Sequence, residues 1–280
     1  MSDPQSEYRT RRPAPALSHL VDRYIGYRLT GFPAGLHRGL PSRRMTLIVS
    51  IGDPIDVVAQ TDPTQAPDRY DVVVGGLQAS AALIAHDGNQ EGVEIGLTPV
   101  GCRTVLGLPA RELWNLSLEL DDVVGGVGRE LWERLQGVDG WDARFAVCDE
   151  VLGRLVTDEM VAPELRRSWD ALVDSGGNVS IADLAHEVGW SRQHLARRFG
   201  DEFGLRPRLA GRVVRFERAR RMLISTPSYV SVAQVAAACG YYDQSHLTHD
   251  FAELAGCSPT ALLAEELPSF QDDDGEPGAP

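Results

Sequence analysis

A duplicated segment in the C-terminal third of the chain constrains its fold most. One copy covers residues 180–207, SIADLAHEVGWSRQHLARRFGDEFGLRP, and the other covers 231–259, SVAQVAAACGYYDQSHLTHDFAELAGCSP. The copies align at an offset of 51 residues up to a shared glycine, Gly189 or Gly240, and at 52 residues after it. The extra residue therefore falls in a turn, where an insertion disturbs a fold least. Two similarly folded units are expected.

Each copy has the pattern of a helix, a glycine turn and a second helix. Ser180 and Ser231 are suited to cap the first helix of each copy. The shared glycine ends that helix, because the position after a helix often needs a positive φ. In the second helix a leucine and a phenylalanine, Leu195 and Phe199 in the first copy, lie four residues apart and face inward. This order of elements predicts two helix-turn-helix units, and residues 208–224 read as a longer amphipathic helix between them.

Charge is distributed unevenly along the chain. The formal net charge is -13, but residues 192–221 contain ten arginines and three acids, which is a local charge of +7. Ionic screening limits each charge to about 10 Å, so a local stripe influences partners more than the global sum does. A solvated helix face is the alternative explanation, since most charge runs are solvated faces.

The first half of the chain reads as strands and then as helices. Short β-branched runs separated by Gly, Pro, Asp and Asn predict a small antiparallel barrel or sandwich, and they cover residues 45–52, 55–60, 70–76, 79–86 and 92–99. After Pro109 the apolar spacing becomes helical, and helices are predicted over residues 110–116, 127–135, 143–156 and 163–173.

Residues 178–266 resemble the DNA-binding domain of the AraC/XylS family of bacterial transcription regulators. The resemblance rests on the tandem repeat, on Arg215, Ala219 and Leu223 in the linking helix, and on the run GYYDQSHLTHDF followed by AGCSP. The stretches PSRRMTLIVSIG and GLTPVGCRTVLGLPARELWNLSLELDDVVG resemble the sensor region that precedes such domains in one branch of the family. The resemblance implies an α+β chain with an N-terminal β-rich, cupin-like barrel with helices and a C-terminal all-α tandem helix-turn-helix domain.

The expected domain division follows from this resemblance and from two composition breaks. A Gly-rich break at 174–178 separates the domains, and the chain ends in an acidic, Pro- and Gly-rich stretch. We expect a flexible N-terminal tail (1–15), a sensor or dimerisation domain (16–174) that is β-rich to about residue 108 and helical after it, an AraC-type DNA-binding domain (178–266) and a disordered acidic tail (267–280).

The resemblance implies that the second helix of each unit, residues 192–199 and 244–251, enters the major groove of double-stranded DNA. The outward side chains expected at the DNA are Arg192, Gln193, His194, Ala196, Arg197, Gln244, Ser245, Thr248 and His249. Gln193 and Arg197 are the expected base readers, because Gln can pair with adenine and Arg with guanine. For His194, packing at the domain surface is an equal alternative.

The second unit is expected to bind DNA more weakly than the first. Its His249 stands where an arginine is common in the family, and a neutral histidine cannot form a bidentate fork to guanine. Side chains around both helices are expected to contact phosphates, namely Arg198, Arg206, Arg208, Arg212 and Tyr242.

The expected function is a sequence-specific transcription regulator controlled by a small-molecule effector or partner at its N-terminal domain. Two alternatives stay open: an effector-independent regulator whose N-terminal domain only dimerises, and a cupin-type enzyme fused to a DNA-binding domain. No enzyme activity is expected, because the sequence has no nucleophile elbow, P-loop or HExxH. No metal or other cofactor is expected, because the four cysteines form no CxxC pair and His19, His37 and His86 are dispersed.

Partners and location follow from the same reading. A homodimer is compatible with the resemblance, and RNA polymerase would be a partner if the protein is an activator. The N-terminus has no apolar signal region and no run approaches the roughly 18 apolar residues of a membrane span, so a cytoplasmic protein with no membrane partner is expected.

Overall fold

The computed structural model describes residues 3–225 and 230–264 of the 280-residue chain. The N-terminal region consists of β-sheets followed by helices, and the C-terminal region is helical, so the expected α+β class is confirmed. The acidic segment 267–280 lies outside the described residues. No helix in the described ranges has the length and apolar character needed to cross a membrane.

The N-terminal domain is built from two antiparallel sheets packed face to face. One sheet has six strands in the order β1-β2-β9-β4-β7-β10, and the other has four in the order β3-β8-β5-β6. The strands are β1 (Gln5–Arg11), β2 (Val21–Thr30), β3 (Gly35–Gly39), β4 (Met45–Ser50), β5 (Ile55–Ala59), β6 (Asp68–Tyr70), β7 (Val72–Gly75), β8 (Ala82–His86), β9 (Gln90–Leu97) and β10 (Ser117–Glu119). Ile48 and Val73 of the larger sheet share one buried cluster with Val57 and Ile84 of the smaller sheet, so alternate residues close the space between the sheets.

The first strand corrects the expectation of a flexible tail over residues 1–15. Residues 5–11 pair with β2 in unbroken register, from Gln5 opposite Thr30 to Arg11 opposite Tyr24. The sequence of β1, QSEYRTR, has no apolar alternation because the strand is largely exposed. Its backbone ladder and the ion pair between Glu7 and Arg28 hold it to the sheet instead.

The structure describes eleven α-helices, the first five of which precede the tandem repeat. They are α1 (Pro99–Leu106), α2 (Leu120–Val124), α3 (Val127–Gln136), α4 (Trp141–Leu155), α5 (Pro163–Asp174), α6 (Ile181–Glu187), α7 (Arg192–Phe203), α8 (Pro207–Ser225), α9 (Val232–Ala238), α10 (Gln244–Ala255) and α11 (Pro259–Leu263). The outer face of the six-stranded sheet and the helices of this domain share one apolar core.

One predicted helix of the N-terminal domain differs from the structure, and two helices of that domain, α1 and α2, are not predicted from the sequence. Residues 110–116 form only a 3-10 turn over Ala110–Leu113, which ends before Asn115 in a left-handed conformation, φ 59°. The unpredicted helix α1 begins where a strand was expected to end, because the Thr98 side chain accepts a hydrogen bond from the Gly101 N–H and caps it.

The tandem repeat folds as two helix-turn-helix units joined by α8. Ser180 caps α6, and Ser231 caps α9 in a reciprocal capping box. Gly189 and Gly240 end these helices with φ of 71° and 81°, as the sequence predicts. The inward leucine and phenylalanine of each second helix are completely buried, and in the second unit Phe216 of α8 packs edge-on against Phe251, with 4.8 Å between ring centroids.

The first unit packs directly on the N-terminal domain at the end of α7. Gly204 adopts a left-handed conformation there, φ 83°, and a Cβ on it would lie 2.7 Å from the Trp114 Cβ and 3.0 Å from the Arg111 Cα. Gly189 has a similar φ of 71°, but a Cβ on it would meet nothing within 4 Å. The two glycines thus share a backbone conformation and differ in what surrounds them.

Gly204→Ala should destabilise the chain more than Gly189→Ala. Both substitutions place an alanine at positive φ, at a cost of about 1–2 kcal/mol. Gly204→Ala adds overpacking against Trp114, which typically costs another ~1–3 kcal/mol. Chemical denaturation of the two variants measures the difference, and equal losses of stability would show that the domains do not pack here.

Candidate nucleic-acid interface

The first two turns of α7 present the most basic exposed surface of the two repeats. The Ser191 side chain caps the helix by accepting from the His194 N–H. Arg192, Gln193 and Arg197 are exposed and Ala196 is half-buried. The half-buried His194 ring packs edge-on against Trp190 at 4.7 Å between centroids. Three adjacent polar side chains therefore point away from a helix whose other face is fixed in the core.

The C-terminal half of α7 is held by the N-terminal domain. Arg103 donates two hydrogen bonds to the buried Glu202, at 3.0 and 2.8 Å. Trp169 of α5 stacks on Phe199 and packs on Phe203, with centroid distances of 5.7 and 4.9 Å. This anchoring leaves only the beginning of α7 available to a partner.

The corresponding face of α10 is more neutral. Asp243 caps the helix through the His246 N–H at 2.8 Å. Gln244, Ser245 and His249 are exposed and Thr248 is half-buried. His249 Nε2 lies 3.3 Å from Glu253 Oε1, so a carboxylate accompanies the histidine at this surface. Cationic side chains in this part of α10 are fewer than on α7.

Arg212 was expected to contact a phosphate, but in the structure it stabilises the second unit. Its guanidinium donates two hydrogen bonds to Asp250, at 3.0 and 2.7 Å, and also contacts Glu253. The hydrogen bond from Arg212 lowers the pKa of Glu253 below its usual value. Asp250 is 1% exposed, so Arg212 neutralises a buried charge. A charge count along the sequence cannot detect a partner that lies 38 residues away.

The other candidate phosphate contacts lie at the surface. Arg198, Arg206 and Arg208 are exposed, and across residues 3–225 and 230–264 none of them forms an ion pair. Tyr242 is 93% exposed and immediately precedes the α10 cap. Their exposure leaves these four side chains accessible to an anionic partner.

A cavity lies between the two sheets of the N-terminal domain, and the sequence did not indicate it. The cavity volume is about 60 Å³, within a space of about 670 Å³ that is partly open to solvent. The walls are mostly apolar and include Ile48, Ile55, Val57, Val73 and Ile84, whereas Arg38, Arg44 and Gln78 supply polar groups. The apolar residues of β4, β5 and β8 are the sequence signal for these walls.

Two of the three dispersed histidines meet beside this cavity. The His37 and His86 rings are 5.7 Å apart on the paired strands β3 and β8. Burial, with a smaller effect of His86, lowers the pKa of His37 to about 4, so this imidazole is neutral near pH 7. Within the described residues, no group of three or more His, Cys, Asp and Glu side chains is placed to hold a metal ion.

Comparison with known proteins agrees with this architecture. Residues 184–265 match the family model described as "Helix-turn-helix domain". A segment of 85 residues is 34% identical to the HTH-type transcriptional regulator Rv1931c of Mycobacterium tuberculosis; the match covers 30% of this chain and 32% of that protein.

Similar solved structures extend the likeness to the whole fold. The crystal structure of ToxT from Vibrio cholerae O395 is 14% identical, has a TM-score of 0.50, and covers 91% of this chain and 96% of its own. ToxT bound to (E)-4-(8-methylnaphthalen-1-yl)but-3-enoic acid matches at 14% identity with a TM-score of 0.51, covering 91% of this chain and 98% of its own.

The chain thus joins a β-rich domain to a tandem helix-turn-helix domain, which is the class of architecture that these comparisons define. The match over residues 184–265 confirms the resemblance that the C-terminal sequence shows to helix-turn-helix DNA-binding domains of the AraC type.

Arg212→Ala should reduce the stability of the fold, whereas Arg206→Ala should change DNA binding and leave stability nearly unchanged. Arg212→Ala leaves the buried Asp250 without its cation, which costs about 3–5 kcal/mol for a fully buried pair and less for the partly exposed Arg212. Arg206→Ala should leave stability within about 0.5 kcal/mol and reduce the salt dependence of DNA binding. Denaturation and salt titration of both variants check this; a stable Arg212→Ala with a reduced salt slope would restore Arg212 as a phosphate contact.

Proposed function

We propose that the protein is a DNA-binding transcription regulator that reads DNA mainly through α7. The exposed Arg192, Gln193 and Arg197 on the capped start of α7 carry this proposal. An arginine can donate two hydrogen bonds to guanine O6 and N7, and a glutamine can pair with adenine N6 and N7. The burial of Leu195 and Phe199 supports it, because it fixes the rotation of α7 and so the direction of these side chains.

The second unit is proposed to read an adjacent segment with lower affinity. Both units are built on α8, and two recognition helices on one rigid support suit two major-groove segments about 34 Å apart. The exposed face of α10 contributes amide and hydroxyl groups and His249, which has Glu253 beside it. Without an arginine fork, α10 has fewer strong base contacts to offer.

Arg197→Ala should weaken binding to a cognate duplex by about 1–3 kcal/mol and relax the preference at one base pair. Fluorescence anisotropy with a duplex recovered from protein-bound genomic fragments, and with single-base variants of it, measures both effects. Arg129→Ala is the matched control, because Arg129 is exposed on α3 of the N-terminal domain. Unchanged affinity and base preference in Arg197→Ala would remove this side chain from the reading surface.

We further propose that the cavity between the sheets binds an apolar small molecule with an acid group as effector. Apolar walls with a few polar groups are typical of ligand sites, and the two arginines that line the cavity suit a carboxylate. A structure of similar fold, ToxT, has been solved with a naphthalenyl butenoic acid bound. An effector-independent regulator, whose N-terminal domain only dimerises, is the alternative that a ligand screen tests.

Decanoate should raise the thermal unfolding midpoint by a few degrees, and decanol should raise it much less. A ligand that binds only the folded state adds about 2.7 kcal/mol of stability at a hundred times its Kd. The two probes share a chain, so the difference between them reports the contribution of the acid group. Equal shifts would contradict an arginine-bound acid. No shift with any apolar acid, over a series of chain lengths, would favour the effector-independent alternative.

A further inference from the structure

The arginines that line the cavity also contact the DNA-binding domain. Arg44 lines the cavity, and its Nη1 lies 3.3 Å from Glu217 Oε1 on α8. The Arg44 Nε donates to Asp22 of the same domain. The side chain of Arg44 is 9% exposed and that of Glu217 is 3% exposed, so their contact is shielded from water and salt.

Glu217 is a carboxylate of the C-terminal domain that the N-terminal domain neutralises. Arg43 donates to it twice, from its backbone N–H to Oε2 at 2.8 Å and from Nη1 to Oε1 at 2.8 Å. Together with Arg44, these donors satisfy both oxygens of a buried charge. Loss of one cation from a buried cluster of this kind is costly, because the remaining charge stays desolvated.

A second cavity arginine holds the end of α10. Arg38 Nη1 donates to the Ala255 carbonyl oxygen at 3.0 Å, which occupies one of the unsatisfied acceptors at the helix C-terminus. Leu40 follows in sequence and belongs to the buried core of the second unit, with Val213 and Phe216. The second helix-turn-helix unit is therefore docked beside the cavity by residues that line the cavity.

The first unit is held elsewhere. Its contacts with the N-terminal domain include the Arg103–Glu202 pair, the packing of Gly204 on Trp114 and the stacking of Trp169 on Phe199. None of these residues lines the cavity. An event in the cavity can therefore act on one unit without acting directly on the other.

From this shared use of Arg44 we propose that Glu217 competes with the acid group of the effector, so that effector binding and docking of the second helix-turn-helix unit oppose each other. This inference rests on the proposed effector site. Arg44 already shares its charge between Asp22 and Glu217, so a ligand acid that attracts Arg44 weakens its bond to Glu217. By linkage, docking weakens ligand binding by the same factor as the ligand weakens docking.

Two variants each remove one carboxylate partner of Arg44. Together they distinguish competition for Arg44 from the docking of the second unit. Glu217→Gln removes the partner on the C-terminal domain, and Asp22→Asn removes the partner on the N-terminal domain. Calorimetry with decanoate should show about tenfold tighter binding to Glu217→Gln than to the wild-type chain. Asp22→Asn should also bind decanoate more tightly.

Hydrogen exchange then reports docking in the full-length chain. Saturating decanoate should speed amide exchange over residues 232–263 of the wild type and leave residues 181–203 unchanged, whereas decanol should change neither. Glu217→Gln should exchange faster over 232–263 without ligand, and Asp22→Asn should not. The wild-type comparison gives a result even if Glu217→Gln does not fold.

Several outcomes would overturn the competition. Decanoate could bind Glu217→Gln and the wild type equally, decanoate could leave exchange over 232–263 unchanged or slow it, or Asp22→Asn could loosen docking as much as Glu217→Gln. In each of these cases the effector site itself survives, because decanoate still binds. If decanoate and its homologues bind none of the three proteins, the effector site is refuted together with this inference.

Discussion

The burial of one leucine and one phenylalanine in the second helix of each helix-turn-helix unit is the interaction on which the rest of the C-terminal domain depends. Leu195 with Phe199, and Leu247 with Phe251, are inaccessible to solvent. Because each pair spans four residues, one stripe of the helix is fixed in the core and the opposite stripe must face outward. The starts of α7 and α10 therefore have the same geometry but different side chains, basic on α7 and neutral on α10. The asymmetry proposed for DNA reading follows from this difference in side chains alone.

The two units differ as much in how they are held as in what they present. The first unit shares its apolar core with the helices of the N-terminal domain, whereas the second has its own core, to which Leu40 is added from the N-terminal domain. Polar contacts from Arg38, Arg43 and Arg44 complete the docking of the second unit. The first unit also has a buried carboxylate, Glu202, but its partner Arg103 does not line the cavity, whereas Arg44, a partner of Glu217, does. In the proposed competition, the unit with fewer exposed cations on its second helix is thus the one whose position a small acid changes.

Local rules predicted much of the fold, and contacts between distant residues account for what the sequence could not show. Caps, turn glycines and i, i+4 apolar pairs are short-range features, so both helix-turn-helix units and five of the strands were predictable. Strand β1 was not predictable, because its side chains are mostly polar and it is held in place by backbone pairing with β2. Glu217 and Arg43 are 174 residues apart, and no periodicity links them. The role of Arg212 is missed for the same reason. Its acidic partners lie on α10, so a local charge count does not detect its contribution to stability.

Selection of bound duplexes from random DNA by the full-length protein tests the central claim most directly. If α7 and α10 read DNA as proposed, the enriched motif has two blocks about one helical turn apart, one with strong base preferences that include guanine and the other with weak preferences. Substituting alanine for Gln193 should relax the strong block and leave the weak block unchanged, and substituting alanine for Gln244 should do the reverse. No enriched motif, or a motif that neither substitution alters, would contradict the account.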